Sequence, residues 1–304
     1  MDVISIDLWA ANLEAPSASL AAWLERLEQR VAAAAGRGCS LLVLPELACA
    51  EWLSFAPLDL LPARQLEWLS EVGAVALESV AALSARYGVS ILPGTIPYPA
   101  PGRVGQPSFA NRAWLLTPGG ERFHQDKLSL TPVEEQGASG VTVRGEEVNV
   151  IRWNGLRIAI VICLDAEYTA LWARLGQLDL DLVLVPAKTD MITGFNRVFG
   201  CARARAIELQ TVVCAVGAVG EPLGSPAIDT GVGGASAFVP CDGSVALDGV
   251  FAAMLPQPAA AMTDPVLFAA NLPVGQCRRI RNGAAEAEIC PAAWRDDHLK
   301  INDG

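Results

Sequence analysis

Three side chains interrupt apolar or turn contexts in which a plain core would not place them: Glu46, Lys127 and Cys163. Glu46 follows Leu41-Leu-Val-Leu-Pro45, a short apolar run that reads as a strand covered on both faces. Functional side chains of α/β sheets collect at the C-terminal ends of such strands. A carboxylate partly withheld from water there can act as a general base. Read more plainly, Glu46 caps the following turn. Cys163 ends Ile158-Ala-Ile-Val-Ile162 and precedes Leu164-Asp165-Ala166-Glu167. A cysteine between a strand and a helix start is placed as a nucleophile. The helix N-terminus favours thiolate, and backbone N–H groups there can hold an oxyanion. Its plainer reading is a small buried hydrophobe, which is the reading given to the other seven cysteines. Lys127, in His124-Gln-Asp-Lys127-Leu-Ser-Leu, is either a solvated lysine or a fixed positive charge beside a developing oxyanion.

The elements that must position these residues alternate between strand and helix. Val3 to Leu8 alternates as a half-buried strand does, and Ser17 precedes a helical pattern through Leu20, Trp23, Leu24, Leu27 and Val31 that stops at Gly36. Ser40 to Leu44 predicts a buried strand, and Pro62 opens a long helix towards Tyr87-Gly88. Further strands are expected at Val89 to Leu92 and Ala113 to Thr117. Val148 to Trp153 and Leu156 to Ile162 predict a hairpin, because Asn154-Gly155 suits a type I′ turn. Leu180 to Val185, Thr211 to Val216, Ala235 to Val239 and Val266 to Leu272 complete the strands, with a helix over Gly194 to Gln210. The pattern reads as one α/β domain over residues 1–275. From Gln276 the composition turns polar and irregular, so residues 276–304 read as a tail packed on the domain or on a partner subunit.

Composition narrows the function. A chain of 304 residues, 52% hydrophobic and 18% charged, buries a sizeable core. Its net charge of -11 repels polyanions, so no nucleic-acid partner is expected. Arg37 and Glu46 interrupt the best apolar stretch, Val31 to Ala50, and no membrane span or signal peptide is expected. The eight cysteines form no CxxC pair, and most lie in apolar runs, which suits a reducing, cytoplasmic setting. With only two histidines, His124 and His298, a His-rich metal site or a Cys-His pair is not expected. No GxxxxGK[ST] run is present, and Gly231-Val-Gly233-Gly-Ala-Ser236 does not fit a dinucleotide fingerprint.

Taken together, Leu-Pro45-Glu46, Lys127-Leu-Ser-Leu130-Thr-Pro132-Val-Glu134 and Ile162-Cys163-Leu-Asp165-Ala-Glu167 resemble, in order and spacing, the nitrilase or carbon-nitrogen hydrolase superfamily. Leu184 to Asp190, Ala202 to Glu208 and Gly234 to Gly243 look like its later blocks, so the resemblance covers nearly the whole chain. Leu164-Asp165 after the cysteine is similar to the amidase branch. The resemblance implies a four-layer αββα sandwich of two mixed β-sheets flanked by helices, with Glu46 as general base, Lys127 as oxyanion stabiliser and Cys163 as nucleophile. It implies an accessory acid soon after the lysine, for which Glu134 fits best and Glu135 is the neighbouring candidate. It also places the Leu164 N–H and Thr189 at the oxyanion or substrate, and makes Arg205 and Glu208 a buried structural ion pair.

The implied activity is hydrolysis of an amide or carbamoyl bond in a small linear substrate through a Cys163 thioester, without metal or organic cofactor. Homodimers or larger homo-oligomers are expected by the same resemblance. Glu167 carries a substrate expectation of its own: a carboxylate four residues past the nucleophile would favour a substrate with an amino group, unless it pairs with a neighbouring Arg. Two alternatives remain beside hydrolysis: acyl transfer to an amine, and a non-catalytic binding protein of the same fold. The segments Ser54 to Leu61, Tyr98 to Ser108 and Glu221 to Gly234 are the expected specificity loops.

Overall fold

Ile4–Trp9 (β1) and Leu41–Val43 (β2) each feed two cores at once. Ile4, Ile6, Leu8, Leu41 and Val43 enter one hydrophobic cluster, while Trp9, Leu42 and Leu44 enter another. The twofold alternation of strand side chains explains the uninterrupted apolar run, since neither face meets water. The computed structural model describes residues 2–101, 107–136, 141–222, 231–258 and 264–284.

Helices α1 (Leu20–Gly36) and α2 (Gln65–Tyr87) cover the second cluster with Trp23, Leu27, Val31, Ala76 and Val80. The chain continues through β3 (Ser90–Leu92), β4 (Thr95–Pro99), β5 (Ser108–Leu116) and β6 (Arg122–Asp126), then a short helix α3 (Pro132–Gln136) and β7 (Val141–Val143). The hairpin of β8 (Ile151–Trp153) and β9 (Leu156–Ile160) opens the second sheet. Helix α4 (Thr169–Leu175), β10 (Leu182–Ala187), α5 (Ile192–Leu209) and β11 (Val212–Gly217) follow. The last elements are β12 (Val232–Gly233), β13 (Ala235–Phe238), β14 (Val250–Ala253), β15 (Gln257–Pro258), β16 (Val266–Leu272) and α6 (Val274–Arg279).

Among the described residues the first sheet has eight strands in the order β16-β1-β2-β3-β5-β4, with β6 and β7 paired to β5. The second has six, in the order β14-β13-β11-β10-β9-β8, and β12 pairs β15 apart from both. Both sheets are mixed: β1-β2-β3 and β9-β10-β11 are parallel, whereas β1-β16 and β11-β13 are antiparallel. Ile6, Leu8 and Leu115 of the first sheet share a cluster with Ile158, Ile160 and Leu182 of the second, and Phe195, Phe199 and Ala202 of α5 join it from beyond. The layers are therefore helix, sheet, sheet, helix, as the αββα expectation has it.

Several boundaries differ from the sequence reading. Ser19, not Ser17, caps α1, its hydroxyl accepting the Ala22 N–H at 3.2 Å. Ser17 instead donates its hydroxyl to the buried Glu51. The turn residues Asn154 (φ 50) and Gly155 (φ 76) take the left-handed conformation that the β8–β9 hairpin requires. Residues 62–87 are long and apolar enough to cross a membrane by length and composition, although Arg64, Glu67, Glu71, Glu78 and Arg86 interrupt the run. In the fold, Leu69, Ala76, Leu77, Val80 and Leu83 on this helix are buried, and Glu67, Glu78 and Arg86 form ion pairs. Where an irregular tail is expected from Gln276, Val274–Arg279 is helical, and Arg278 and Arg281 both reach the buried Asp181. The rest of the expected tail, 285–304, lies outside the described residues.

Candidate active site

Glu46 emerges just past β2. The Leu44 N–H still donates to Leu92 O at 2.8 Å, and Pro45 then ends the ladder. Leu47 takes a left-handed conformation (φ 50) and donates its N–H to Thr95 Oγ1 at 2.9 Å, which fixes the turn. Gly94 (φ 86) lies against this segment so closely that a Cβ would stand 2.2 Å from Pro45 O. Glu46 is thereby held inside, 2% exposed.

Lys127 follows β6 directly and is equally buried. Its N–H donates to Asn111 O at 2.9 Å, and its carbonyl accepts the Gly145 N–H at 2.7 Å. Its ammonium lies 2.8 Å from Glu46 Oε1 and 2.9 and 3.0 Å from the two Glu134 oxygens. Burial opposes that charge, but the neighbouring Glu46 and Glu134 carboxylates outweigh it and hold the ammonium's pKa above the ordinary lysine value.

Glu134 reaches the site from α3. Its carboxylate accepts the Thr131 N–H at 2.7 Å while its own N–H donates to Thr131 Oγ1 at 3.3 Å, a reciprocal capping arrangement. Glu135 turns outward to Arg144, so of the two candidates Glu134 is the carboxylate on Lys127.

Cys163 sits where β9 gives way to a 3₁₀ turn, Cys163–Glu167, and carries the positive φ (48°) of a sharp strand-to-turn elbow. Its Sγ donates to Lys188 O at 3.4 Å. The Lys188 N–H donates to Glu46 Oε2 at 3.0 Å, so one peptide segment at the end of β10 holds the Glu46 carboxylate and the thiol together. The expected helix start is only this turn, with α4 beginning at Thr169. The electrostatics differ accordingly. Burial pushes the Cys163 thiol well above its ordinary pKa, the Glu46 charge adds to the rise, and Lys127 offsets part of it. This environment favours the protonated thiol over the thiolate that a helix N-terminus would favour.

The remaining expected residues, Leu164 aside, separate from this cluster. Leu164 follows Cys163 within the turn and is half-buried. Thr189 is buried, but its hydroxyl donates to Val232 O at 2.7 Å, which spends its proton on anchoring β12. Glu167 pairs with Arg197 at 3.0 Å, so its charge is compensated. Arg205 contacts Glu208, but Glu208 is half-exposed, which corrects the expectation of a buried pair. Of the expected specificity loops, Ser54 lies in a 3₁₀ helix, Ala48–Phe55, Tyr98 lies in β4 and Ser108 begins β5. Residues 102–106 and 223–230 lie outside the described residues. Two surface cavities, of about 380 and about 280 Å³, lie away from Glu46, Lys127 and Cys163, one beside Cys39, Arg152 and Trp153 and one beside Leu60 and Trp68. Among the described residues no group of three or more His, Cys, Asp or Glu is arranged to hold a metal ion.

Two residues at the site escaped the sequence reading. Asn111 donates its amide N–H to Glu46 Oε1 at 2.9 Å, and Lys188 contributes through its main chain. An asparagine in the otherwise strand-forming Phe109 to Leu116 was the available signal, because Asn is depleted in strands.

Comparison with known proteins bears on the same segments. The family model described as carbon-nitrogen hydrolase matches residues 10–253. The chain is 26% identical over 225 residues to a probable hydrolase, YhcX, of Bacillus subtilis (strain 168), covering 74% of this chain but only 42% of that protein. It is 26% identical over 196 residues to a deaminated glutathione amidase of Synechocystis sp., covering 61% of this chain and 67% of that one. An (R)-stereoselective amidase of Pseudomonas sp. is 32% identical over 132 residues, or 41% of this chain and 47% of the relative. Thus the chain spans less than half the length of two of these relatives. The solved amidase of Nesterenkonia AN1, from the nitrilase superfamily, superposes with a TM-score of 0.66 at 19% identity, covering 92% of this chain and 94% of that one.

Proposed function

The chain belongs to the carbon-nitrogen hydrolase family, and on that premise we propose that it is a thiol amidohydrolase that cleaves the amide or carbamoyl C–N bond of a small linear substrate through a Cys163 thioester. The observation that carries this reading is the meeting of Glu46 and Cys163 at Lys188, one on its N–H and one on its carbonyl, with the Lys127 ammonium on Glu46. A protonated, buried thiol needs a base at the moment of attack, and Glu46 is the carboxylate held beside it.

In the first step Glu46 removes the thiol proton as Sγ attacks the carbonyl carbon. The oxygen takes up the electron pair and is held by the Lys127 ammonium and the Leu164 N–H. When the C–N bond breaks, Glu46 returns the proton to the departing ammonia or amine. Glu46 then deprotonates a water that attacks the thioester, and the carboxylic acid leaves as the thiol is reformed. Glu134, on the other side of Lys127, keeps the ammonium charged and in place. A solved structure of the Nesterenkonia amidase carries the acetamide moiety of fluoroacetamide on its active-site cysteine, which supports a covalent route in this family.

The test is to mix the protein with a panel of short amides and carbamoyl amines and to weigh it intact. Ammonia release together with an acyl adduct on Cys163, both absent in Cys163→Ala, is expected. Turnover that survives in Cys163→Ala would overturn the reading. Added hydroxylamine distinguishes acyl transfer, because a hydroxamate then replaces the free acid.

A further inference from the structure

We propose that Asn111 is a positioning residue that holds Glu46 and Glu134 side by side around Lys127. The inference rests on the amidohydrolase reading above for its role in turnover, while its geometry stands on its own. Asn111 lies on β5, where it pairs with Pro97 of β4, and it is 5% exposed. Its carbonyl takes the Lys127 N–H at 2.9 Å, so its main chain fixes the lysine backbone. Its side-chain Nδ2 lies 2.9 Å from Glu46 Oε1 and 3.5 Å from Glu134 Oε1. One residue therefore touches all three charged members of the cluster. Both side-chain acceptors are carboxylates, which fixes the amide orientation: only the NH₂ end can face them.

Two features separate this from ordinary strand packing. Asn111 Oδ1 is buried without a hydrogen-bond partner among the described residues. A half-satisfied amide costs stability relative to an apolar side chain of similar size. Fold stability alone therefore does not account for it. The cluster also holds two carboxylates and one ammonium, a net charge of one negative unit in a buried place. Like charges at that distance separate unless something holds them. Lys127 bridges them once, and the Asn111 amide bridges them a second time without adding charge. Asn111 does not reach the sulfur, so it acts through Glu46.

The test uses the full chain with Asn111→Leu and the isosteric Asn111→Asp. Iodoacetamide alkylation of Cys163, followed by mass spectrometry from about pH 5 to about pH 10, reports the base and thiol without needing a substrate. Thermal unfolding is recorded in parallel. Alkylation at neutral pH at least about tenfold slower in both variants is expected, the order of an impaired general base. In Asn111→Asp the pH needed to reach a given alkylation rate should also rise, because an added negative charge disfavours thiolate. A merely structural residue would change the thermal midpoint and leave the alkylation profile where it was, and that result would overturn the proposal. If Asn111→Leu fails to fold, Asn111→Ala, which also removes the amide without adding charge, carries the decision. An Asn111-dependent profile in a protein that hydrolyses no amide would leave the positioning role intact and sink the amidohydrolase reading. Full amide turnover in both variants would do the reverse.

Discussion

Ser129 donates its backbone N–H to Asp165 Oδ1 at 2.7 Å, and Leu128 donates to Oδ2 at 3.0 Å. The loop that carries Lys127 is thus tied to the turn that carries Cys163. Burial pushes Asp165 up to about 6 against the pull of these two donors. A carboxyl raised from its unfolded value of 3.8 stabilises the fold below that value and loses the contribution as pH rises through about 6. At one pKa unit per ~1.4 kcal/mol, the wild type gives up on the order of 3 kcal/mol over that window. Asp165→Asn cannot titrate, so its stability relative to wild type is expected to improve as pH rises from 4 to 8. Its turnover should fall, because an amide can accept from only one of the two N–H groups while its NH₂ opposes the other. Denaturant unfolding at the two pH values and kcat at neutral pH check both outcomes. A stability difference that does not change with pH would refute the linkage.

Lys127 stands between two buried carboxylates, 2.8 Å from one and 2.9 Å from the other. Lys127→Met leaves both without their cation. Breaking a buried ion pair from one side costs about 3 to 5 kcal/mol. Loss of the oxyanion charge should lower kcat by roughly 10²- to 10³-fold. The two effects can be separated. Lys127→Met combined with Glu134→Gln removes one stranded charge and should recover part of the thermal midpoint without recovering turnover. If the double variant regained activity, Lys127 would be a structural cation and nothing more.

How much of this was legible in the residues follows from how each residue acts. Glu46, Lys127 and Cys163 stood out because a charge or thiol at the end of an apolar run is costly unless used, and the structure brings all three together. The β8–β9 hairpin was legible because Asn154-Gly155 fits one turn type. Strand β4 was not, because Pro97 and Pro99 argue against a strand, yet β4 lies at the sheet edge where a missing N–H goes unused. Strand β6, Arg-Phe-His-Gln-Asp, was not legible either, because its polar residues break the apolar alternation that marks a strand. Lys188 was hidden because it works through its main chain, which residue type does not reveal. Thr189 was misleading in the opposite sense: a hydroxyl in the right segment proved to be engaged with Val232.

Gly94 sets how deeply Glu46 sits. In Gly94→Ala the new Cβ would meet Pro45 O at 2.2 Å and Ala48 Cβ at 3.0 Å, and a φ of 86° is already unfavourable for alanine. Backbone strain and overpacking together cost about 2 to 4 kcal/mol. The Pro45–Glu46 segment has to yield, because the contact is with backbone. A lower thermal midpoint is expected together with a fall in kcat larger than any change in KM, since the base moves while the substrate's other contacts remain. A control at Gly88 is informative: it also has positive φ (69°), but a Cβ there meets nothing within 4 Å. Gly88→Ala should cost only the strain of its conformation and leave kcat unchanged. Equal kcat losses in both variants would show that Gly94 has no special relation to the site.

Glu167 and Arg197 form a pair on the rim, with Arg197 61% exposed and Glu167 21% exposed. A pair this open is worth under about 1 kcal/mol, so Glu167→Gln should leave the thermal midpoint nearly unchanged. Its effect on substrate choice depends on Arg197. With the guanidinium at 3.0 Å the two charges cancel at a distance, and amides of different charge should keep their relative KM values in Arg197→Gln/Glu167→Gln. Removing Arg197 alone uncovers the carboxylate. Arg197→Gln is then expected to lower KM for amides bearing an amino group and to raise it for those bearing a carboxylate, by a few-fold each way at low ionic strength, with the difference shrinking as salt is added. KM for one cationic and one anionic amide in both single variants and the double decides the matter: a double variant that keeps the whole shift seen in Arg197→Gln would place Glu167 outside the substrate's field.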